Sequence, residues 1–372
     1  MVFAIYTRNP FSDSLWQEKI HDYQVLTITI LIVRRKIMIK QRSTKRTQRF
    51  FFIAAGFGIS LLAASGEISA QDVVEDQAAP VQSEKDYTFT EAVIESVTGD
   101  VYSDEAAARW QELSFGNLFS KGWDKPWSSP PTGGGGAPRH GWLNSYEGVF
   151  YRLSIATFGW KHGLNGGDGY NSNLVTFTPL NQRFEIQTDI PMVASTPGNP
   201  HSETNFGDFR ITPRFLLSET RDVTQTLNVT FRTPTGDVFN GNHVASIEPQ
   251  YNFWANSWKG LVVRGGFGFA IPYSGDINQA GARSTFDANL AVGYYFTPHD
   301  FAPVGDLVWF VSTNLSQPID NRGTSSNTFV SLTPGFRTHV GQNWFLHGGV
   351  EVPVTGNPAY DYQVLGGIMK VY

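Results

Sequence analysis

Between Thr204 and Ser218 the chain reads TNFGDFRITPRFLLS, and its side chains alternate in character with a period of two. Phe209, Ile211, Phe215 and Leu217 fall on one face with Pro213, while Arg210, Thr212 and Arg214 fall on the other. That is a pleated strand with one apolar and one charged side. The run is about twice the ~5–6 residues of an average soluble strand. A tilted crossing of a bilayer needs ~9–11 residues, with the apolar face on lipid and the polar face on a lumen. The fold follows if this unit repeats and closes on itself.

It repeats. From Glu147 onward the pattern predicts strands at 147–160, 173–179, 183–193, 204–218, 223–234, 243–255, 259–272, 283–297, 305–315, 327–339, 343–354 and 360–372. Outward sets include Val149, Tyr151, Leu153 and Ile155 on the first strand, and Phe184, Ile186, Ile190 and Met192 on the third. Later ones include Leu227, Val229 and Phe231, then Phe286, Leu290, Val292 and Tyr294. Connections alternate between long (161–172, 194–203, 235–242, 273–282, 316–326, 355–359) and short (180–182, 219–222, 256–258, 298–304, 340–342). Long loops on one rim and tight turns on the other describe an all-β, antiparallel, up-and-down outer-membrane barrel of about twelve strands. An even number of strands puts both chain ends on the tight-turn, periplasmic side. The last strand, YDYQVLGGIMKVY, ends at Tyr372 in the aromatic manner that outer-membrane proteins present to their insertion machinery; Lys370 falls on its lipid phase and is expected to snorkel to the rim.

Composition narrows what precedes the barrel. Met38 to Ala70 reads as a cleavable signal peptide, with a basic start, an apolar stretch Phe50–Ala64 and a small-residue end, Ile68-Ser69-Ala70. Met1 to Ile37 reads as upstream sequence from a misplaced start, so residues 1–70 are leader. Those residues hold ten of the 28 Lys/Arg but only four of the 33 Asp/Glu, which leaves the remainder at net −11 and argues against nucleic acid as partner. Residues 71–146 then form a tether and a tryptophan-rich segment. Asp72–Lys85 is acidic and flexible in composition; Ser103 caps a helical pattern carrying Ala106, Ala107, Trp110 and Leu113. Trp110, Trp123, Trp127 and Trp142 could plug the lumen or contact a periplasmic partner, with interfacial anchoring as the default. The absence of cysteine closes thiolate and disulfide chemistry.

The lumen phase carries the candidate pore lining: Arg152, Arg183, Glu185, Asp189, Arg210, Arg214, Arg232, Glu248, Arg264, Asp287, Arg337 and Glu351. Two readings fit equally: a charged constriction that selects solutes, or an Arg–carboxylate network that holds register. Under the first, Arg214→Ala leaves assembly intact and alters selectivity. Weaker features are Gly133–Gly136, which lacks the context of a phosphate cradle, and Asn165–Gly169, a flexible loop before it is a calcium site. His339 and His347 face inward on neighbouring strands, where a polar lining outranks a metal. Asn242-His243 with Ser246 invites comparison with membrane lipases, with a satisfied loop histidine the better expectation. No cofactor or metal is expected.

The region from about Asn173 to Leu217 resembles the outer-membrane barrels grouped as the phenol-degradation MetA-pathway family. The matching stretches are LVTFTPL, NQRFEIQTDIP with its strand-ending Pro191, and NFGDFRITPRFLL with Gly207-Asp208. Asn181-Gln182 stands where a Tyr-Gly-containing turn would be expected, and KGWDKPW with APRHGW looks like an N-terminal extension of some members. The resemblance implies an outer-membrane channel for small, apolar or aromatic molecules, and names no substrate. A lipase-like barrel enzyme and a structural or adhesin-type barrel are the alternatives.

Overall fold

The computed structural model describes residues 86–164, 167–195, 206–236, 244–275, 283–319, 328–356 and 358–372. The expected signal peptide and acidic tether lie outside the described residues.

Twelve antiparallel strands close into one barrel in which every strand pairs with its sequence neighbours and β1 pairs with β12. They are β1 (Leu153–Leu164), β2 (Gly167–Pro179), β3 (Phe184–Ser195), β4 (Arg210–Glu219), β5 (Val223–Arg232) and β6 (Val244–Trp258), followed by β7 (Leu261–Gly275), β8 (Thr285–Tyr295), β9 (Gly305–Pro318), β10 (Phe329–Gly341), β11 (Trp344–Pro353) and β12 (Tyr362–Val371). Closure runs from Leu153↔Val371 to His162↔Tyr362. No strand edge is left to hydrocarbon, where an unpaired peptide group costs several kcal/mol. Connections 180–183, 220–222, 259–260, 296–304 and 342–343 make up the tight-turn rim, and the longer ones lie on the opposite rim. The predicted loop 161–172 is instead the top of a hairpin, because β1 and β2 continue through it.

The alternation decides which wall meets lipid. On β8, Leu290 is 49% exposed and its neighbour Asn289 only 5%. The same phase exposes Ile211, Leu227, Phe267, Trp309, Val311 and Ile368. Trp258, Tyr294, Trp309 and Trp344 cluster at the tight-turn end of this wall and Tyr170, Tyr273 and Tyr362 toward the other, the arrangement of two interfacial aromatic girdles. Lys370, on the lipid phase, reaches the rim as expected: its ammonium donates to the Gln342 carbonyl at 2.6 Å and lies over the Trp344 ring.

One strand reverses its expected facing. β1 begins at Leu153, and Leu153 and Ile155 are buried in the lumen, while Ala156 and Phe158 are exposed. A one-residue slip of phase exchanges the two faces of a strand. The greasier set of β1 points inward because the lumen supplies an apolar partner there. That partner is the stretch before β1, which contributes Val149 and Tyr151.

Among the described residues, two short α-helices precede it. In α1 (Phe89–Thr98), Thr88 and Glu91 form a reciprocal capping box. In α2 (Asp104–Ala108), Ser103 accepts from the Ala106 amide, as the sequence predicts, but the helix stops before Trp110 and Leu113. Leu113 is drawn off to pair with Glu219 at the end of β4, with backbone bonds of 2.9 and 2.7 Å.

Leu290→Arg places a guanidinium in hydrocarbon near the middle of β8 and costs ~2–4 kcal/mol. The fraction of heat-modifiable, folded barrel on an unboiled gel falls accordingly. Asn289→Ser, one residue along and facing inward, keeps that fraction near the unsubstituted level.

Candidate functional site: a lumen loop held by buried arginines

The segment before β1 enters the barrel from the tight-turn rim. Gly133–Gly136 docks it: the Gly134 amide donates to the Arg221 carbonyl (3.1 Å), the Gly135 amide to Asn256 (2.8 Å), and the Gly260 amide returns a bond to Gly135 (2.9 Å). A Cβ on Gly135 would stand 2.2 Å from the Trp258 carbonyl oxygen, so the glycine run serves close backbone approach and no phosphate.

Residues 139–151 then form a loop inside the lumen. Trp142 stacks on Phe310 of β9 at 5.0 Å, nearly parallel, among inward-facing Ile155, Phe177, Trp254, Val262 and Phe345. The loop turns at Asn144, whose φ of 53° is a left-handed conformation that asparagine tolerates better than most residues. At this tip the contacts are polar. Asn144 donates to Thr333 at 2.7 Å, its carbonyl accepts from Ser312 at 2.6 Å, and the Tyr146 amide donates to Asn289 at 3.0 Å. These partners lie in the middle of β8, β9 and β10, so the loop reaches about halfway through the barrel.

Guanidinium groups hold the loop. Arg214 forms an ion pair with Glu185, both fully buried, and donates to the Glu147 and Val149 carbonyls at 2.6 and 2.9 Å. Glu185 also accepts from the Tyr151 amide. Arg264 pairs with Glu147, donates to the Tyr146 and His140 carbonyls, and lies over the Trp142 ring. Arg139, at the loop's start, bridges Glu219 (3.3 Å) and Thr224 (2.6 Å). Burial and, secondarily, the Arg337 charge hold His140 well below its ordinary pKa, so it is neutral.

The sequence-predicted lining therefore separates into groups. Arg183 is buried at the tight-turn rim, donating to the Lys121, Leu216 and Ser114 carbonyls. Glu185, Arg214, Arg264 and Arg337 are buried in the half that the loop fills. Asp189, Arg210, Arg232, Glu248, Asp287 and Glu351 lie in the other half; Asp189↔Arg210↔Arg232 forms one rung of the barrel, and Arg232 also pairs with Asp208. Arg152 departs from its lumen assignment. It precedes β1 and donates to the Tyr372 carbonyl (2.7 Å) and to Gly99 (2.7 Å) and Ser96 (3.2 Å) at the end of α1. A cation suits the carbonyl end of a helix, and here it also ties the two ends of the barrel together.

Trp142 fills the lumen rather than anchoring at the interface, whereas Trp110 donates to Glu219 and Trp123 to the Leu118 carbonyl. His347 faces inward as predicted; His339 stacks on His299 at 4.2 Å. No group of three or more His, Asp or Glu suited to a metal occurs among the described residues. Ser246 donates to Glu248; Asn242 and His243 lie outside the described residues, as do Asn165 and Gly166, while Gly167–Gly169 begin β2. Sequence reasoning missed Glu147, Asn144 and Tyr151, which hold the loop. The available signal was HGWLNSYEG, where polar and glycine residues break the strand period just before β1.

The model of the family described as "Putative MetA-pathway of phenol degradation" matches residues 131–360. The chain belongs to this family. The match takes in the docking glycines, the lumen loop and most of the barrel, so loop and cylinder fall within one family unit. No curated protein matches the chain. Among solved structures it is similar to the COG4313 outer membrane channel from Pseudomonas putida F1 at 10% identity and TM-score 0.45, covering 63% of this chain and 100% of that one. It is also similar to the KdgM porin (10%, TM-score 0.40, 59% and 99%) and to outer membrane phospholipase A from Escherichia coli (13%, TM-score 0.33, 60% and 98%). This member of the family is a closed twelve-stranded β-barrel with an apolar outer wall.

The geometry reverses the expectation for Arg214→Ala. Truncation strands Glu185 in a dry site, a loss of roughly 3–5 kcal/mol. The released loop becomes cleavable by trypsin at Arg139 and Arg152. The double change Arg214→Met with Glu185→Leu is less destabilising than Arg214→Ala alone, which thermal unfolding in detergent measures.

Proposed function

We propose that this protein is an outer-membrane channel for small solutes, occluded in its tight-turn half by its own N-terminal segment. Solutes enter between the long loops and pass a charged stretch formed by Asp189, Arg210, Arg232, Glu248, Asp287 and Glu351. They leave past residues 139–151 on the periplasmic side. In this reading residues 1–70 are a leader, 71–146 lead into the occluding segment, and the strand ending at Tyr372 addresses the insertion machinery.

The observation that carries the reading is the chemistry of the loop tip. Asn144 and Tyr146 are held by side-chain amides and hydroxyls of Asn289, Ser312 and Thr333. Water can replace such partners at little net cost, because folding exchanges one set of hydrogen bonds for another. An obligate filling of the barrel would be expected to end in dry apolar packing instead. Beyond the tip Arg210, Arg232, Glu248 and Asp287 are partly accessible while Asp189 and Glu351 are buried beside them, and this charged set is the polar path that the loop interrupts in this reading. The engagement of the Ser246 hydroxyl with Glu248 gives the hydrolase alternative no support.

Planar bilayer recording tests the proposal. The intact chain gives small or intermittent steps, and Arg264→Ala, which removes the loop's clamp, raises the open fraction. The chain contains no cysteine, so Asn144→Cys with Thr333→Cys can be bridged cleanly by a short thiol-reactive crosslinker. Bridging is expected to abolish the steps. Folded barrel that stays silent in both the intact chain and Arg264→Ala overturns the channel reading.

A further inference from the structure

Helix α1 packs on the rest of the chain through its two smallest residues. Ala92 and Ser96, one turn apart, are buried, and the Ser96 hydroxyl accepts from the Trp127 amide at 2.8 Å. The large apolar side chains are left uncovered. Phe89, Val93 and Val97 follow one another at every fourth position with Ile94 beside them, and Phe89, Ile94 and Val97 are 55, 57 and 40% exposed. Residues so spaced form one stripe of a helix. Glu91 and Thr98 lie across the helix from Phe89 and Val93, and α1 contains no basic residue.

Both ends of α1 are tied to the tight-turn rim. At its start, Arg109 donates to the Tyr87 hydroxyl and pairs with Glu95, both at 3.4 Å, while the Arg109 carbonyl accepts from Gln182, between β2 and β3, at 3.4 Å. At its end, Arg152 joins the Ser96 and Gly99 carbonyls to that of Tyr372, just beyond β12. The helix therefore runs along the rim, past the ends of β1 and β2. There Val97 meets the outer wall, sharing a cleft with Ser154, Thr176, Thr178 and Tyr372. Leu153 and Phe177 face the lumen, so Ser154, Thr176 and Thr178 beside them face out.

The cleft falls at a gap in the aromatic girdle. At the tight-turn end β6, β8, β9 and β11 present Trp258, Tyr294, Trp309 and Trp344 outward, whereas β1 and β2 present these hydroxyl side chains. A short hydroxyl does not anchor a wall at the edge of hydrocarbon as an aromatic ring does. We propose that α1 supplies the anchor on this side: it lies in the phospholipid leaflet beside the β1–β2 part of the rim, with Phe89, Val93, Ile94 and Val97 sunk to the boundary between headgroups and acyl chains. Through Val97 the stripe is continuous with the wall that meets lipid. With no Lys or Arg to draw it to an anionic surface, apolar insertion holds it. The inference rests on the membrane placement of the barrel and not on whether the barrel conducts.

Nitroxide labels on single cysteines test it, in the otherwise cysteine-free full chain reconstituted into phosphatidylcholine vesicles. Phe89→Cys, Thr98→Cys and Leu290→Cys all replace exposed side chains. Collision of each label with oxygen, which concentrates in hydrocarbon, is compared with collision with a water-soluble nickel chelate. Leu290, in the middle of the wall, is expected to favour oxygen strongly, Phe89 to favour it less, and Thr98 to favour nickel. Adding phosphatidylglycerol leaves the Phe89 result unchanged, and adding Ile94→Glu to the Phe89-labelled chain shifts that label toward nickel. Nickel preference at Phe89 with oxygen preference kept at Leu290 overturns the proposal and leaves the barrel in its membrane. A Phe89 label that neither reagent reaches reports cover by protein, either a second copy or the chain's own N-terminal residues, and also overturns it. Nickel preference at all three sites overturns the membrane placement and this proposal with it.

Discussion

A guanidinium taken out of water needs acceptors, and in this barrel backbone carbonyls supply them. Arg214 on β4 and Arg264 on β7, three strands apart around the cylinder, reach inward to the carbonyls of residues 140, 146, 147 and 149, while Glu185 and Glu147 balance their charge. Each arginine satisfies a strand-borne charge and a loop-borne set of peptide groups at once. Without the loop the arginines would project into an aqueous lumen with no carbonyls to meet. Without the arginines the loop's carbonyls would be buried unpaired, at a cost of about 1–3 kcal/mol each.

This mutual dependence explains why the interior has two characters. A twelve-stranded cylinder is wider than the roughly eight-stranded ones that side chains alone can fill. The chain closes the difference in the tight-turn half by inserting a loop of its own, and that half acquires an apolar core of Trp142, Phe310, Phe345 and Trp254. The other half receives no insert and keeps polar side chains partly open to water. Charged residues of the same lumen phase thus serve two purposes, set only by how far along the strand they sit.

That division shows what was readable beforehand. Strand period, closure and most outward sets were legible because lipid imposes the same demand on every strand: alternate residues must be apolar. Phe184, Leu227 and Leu290 obey it without knowledge of any other element. The inward faces carry no such rule, since their solvent is another part of the chain. Leu153 and Ile155 look lipid-facing until the Trp142 side of the loop is known to lie against them. Arg152 looks luminal until α1 brings its terminal carbonyls within reach. The loop itself escapes pattern reading because it is irregular; its evidence was negative, a failure of the two-residue period from His140 to Gly148.

The choice of arginine over apolar filling has a structural consequence. Replacing a buried ion pair with well-packed hydrophobic residues is often neutral or stabilising, so stability alone does not account for three engaged arginines, Arg139, Arg214 and Arg264, around one loop. Directional bonds do something oily contacts cannot: they specify where each carbonyl lies. Gly148 shows the tolerance, since a Cβ there would stand 2.4 Å from the Phe253 backbone. A loop free to slide by a fraction of that distance would clash with β6 or unpair a guanidinium. The arginines therefore fix one register of the insert.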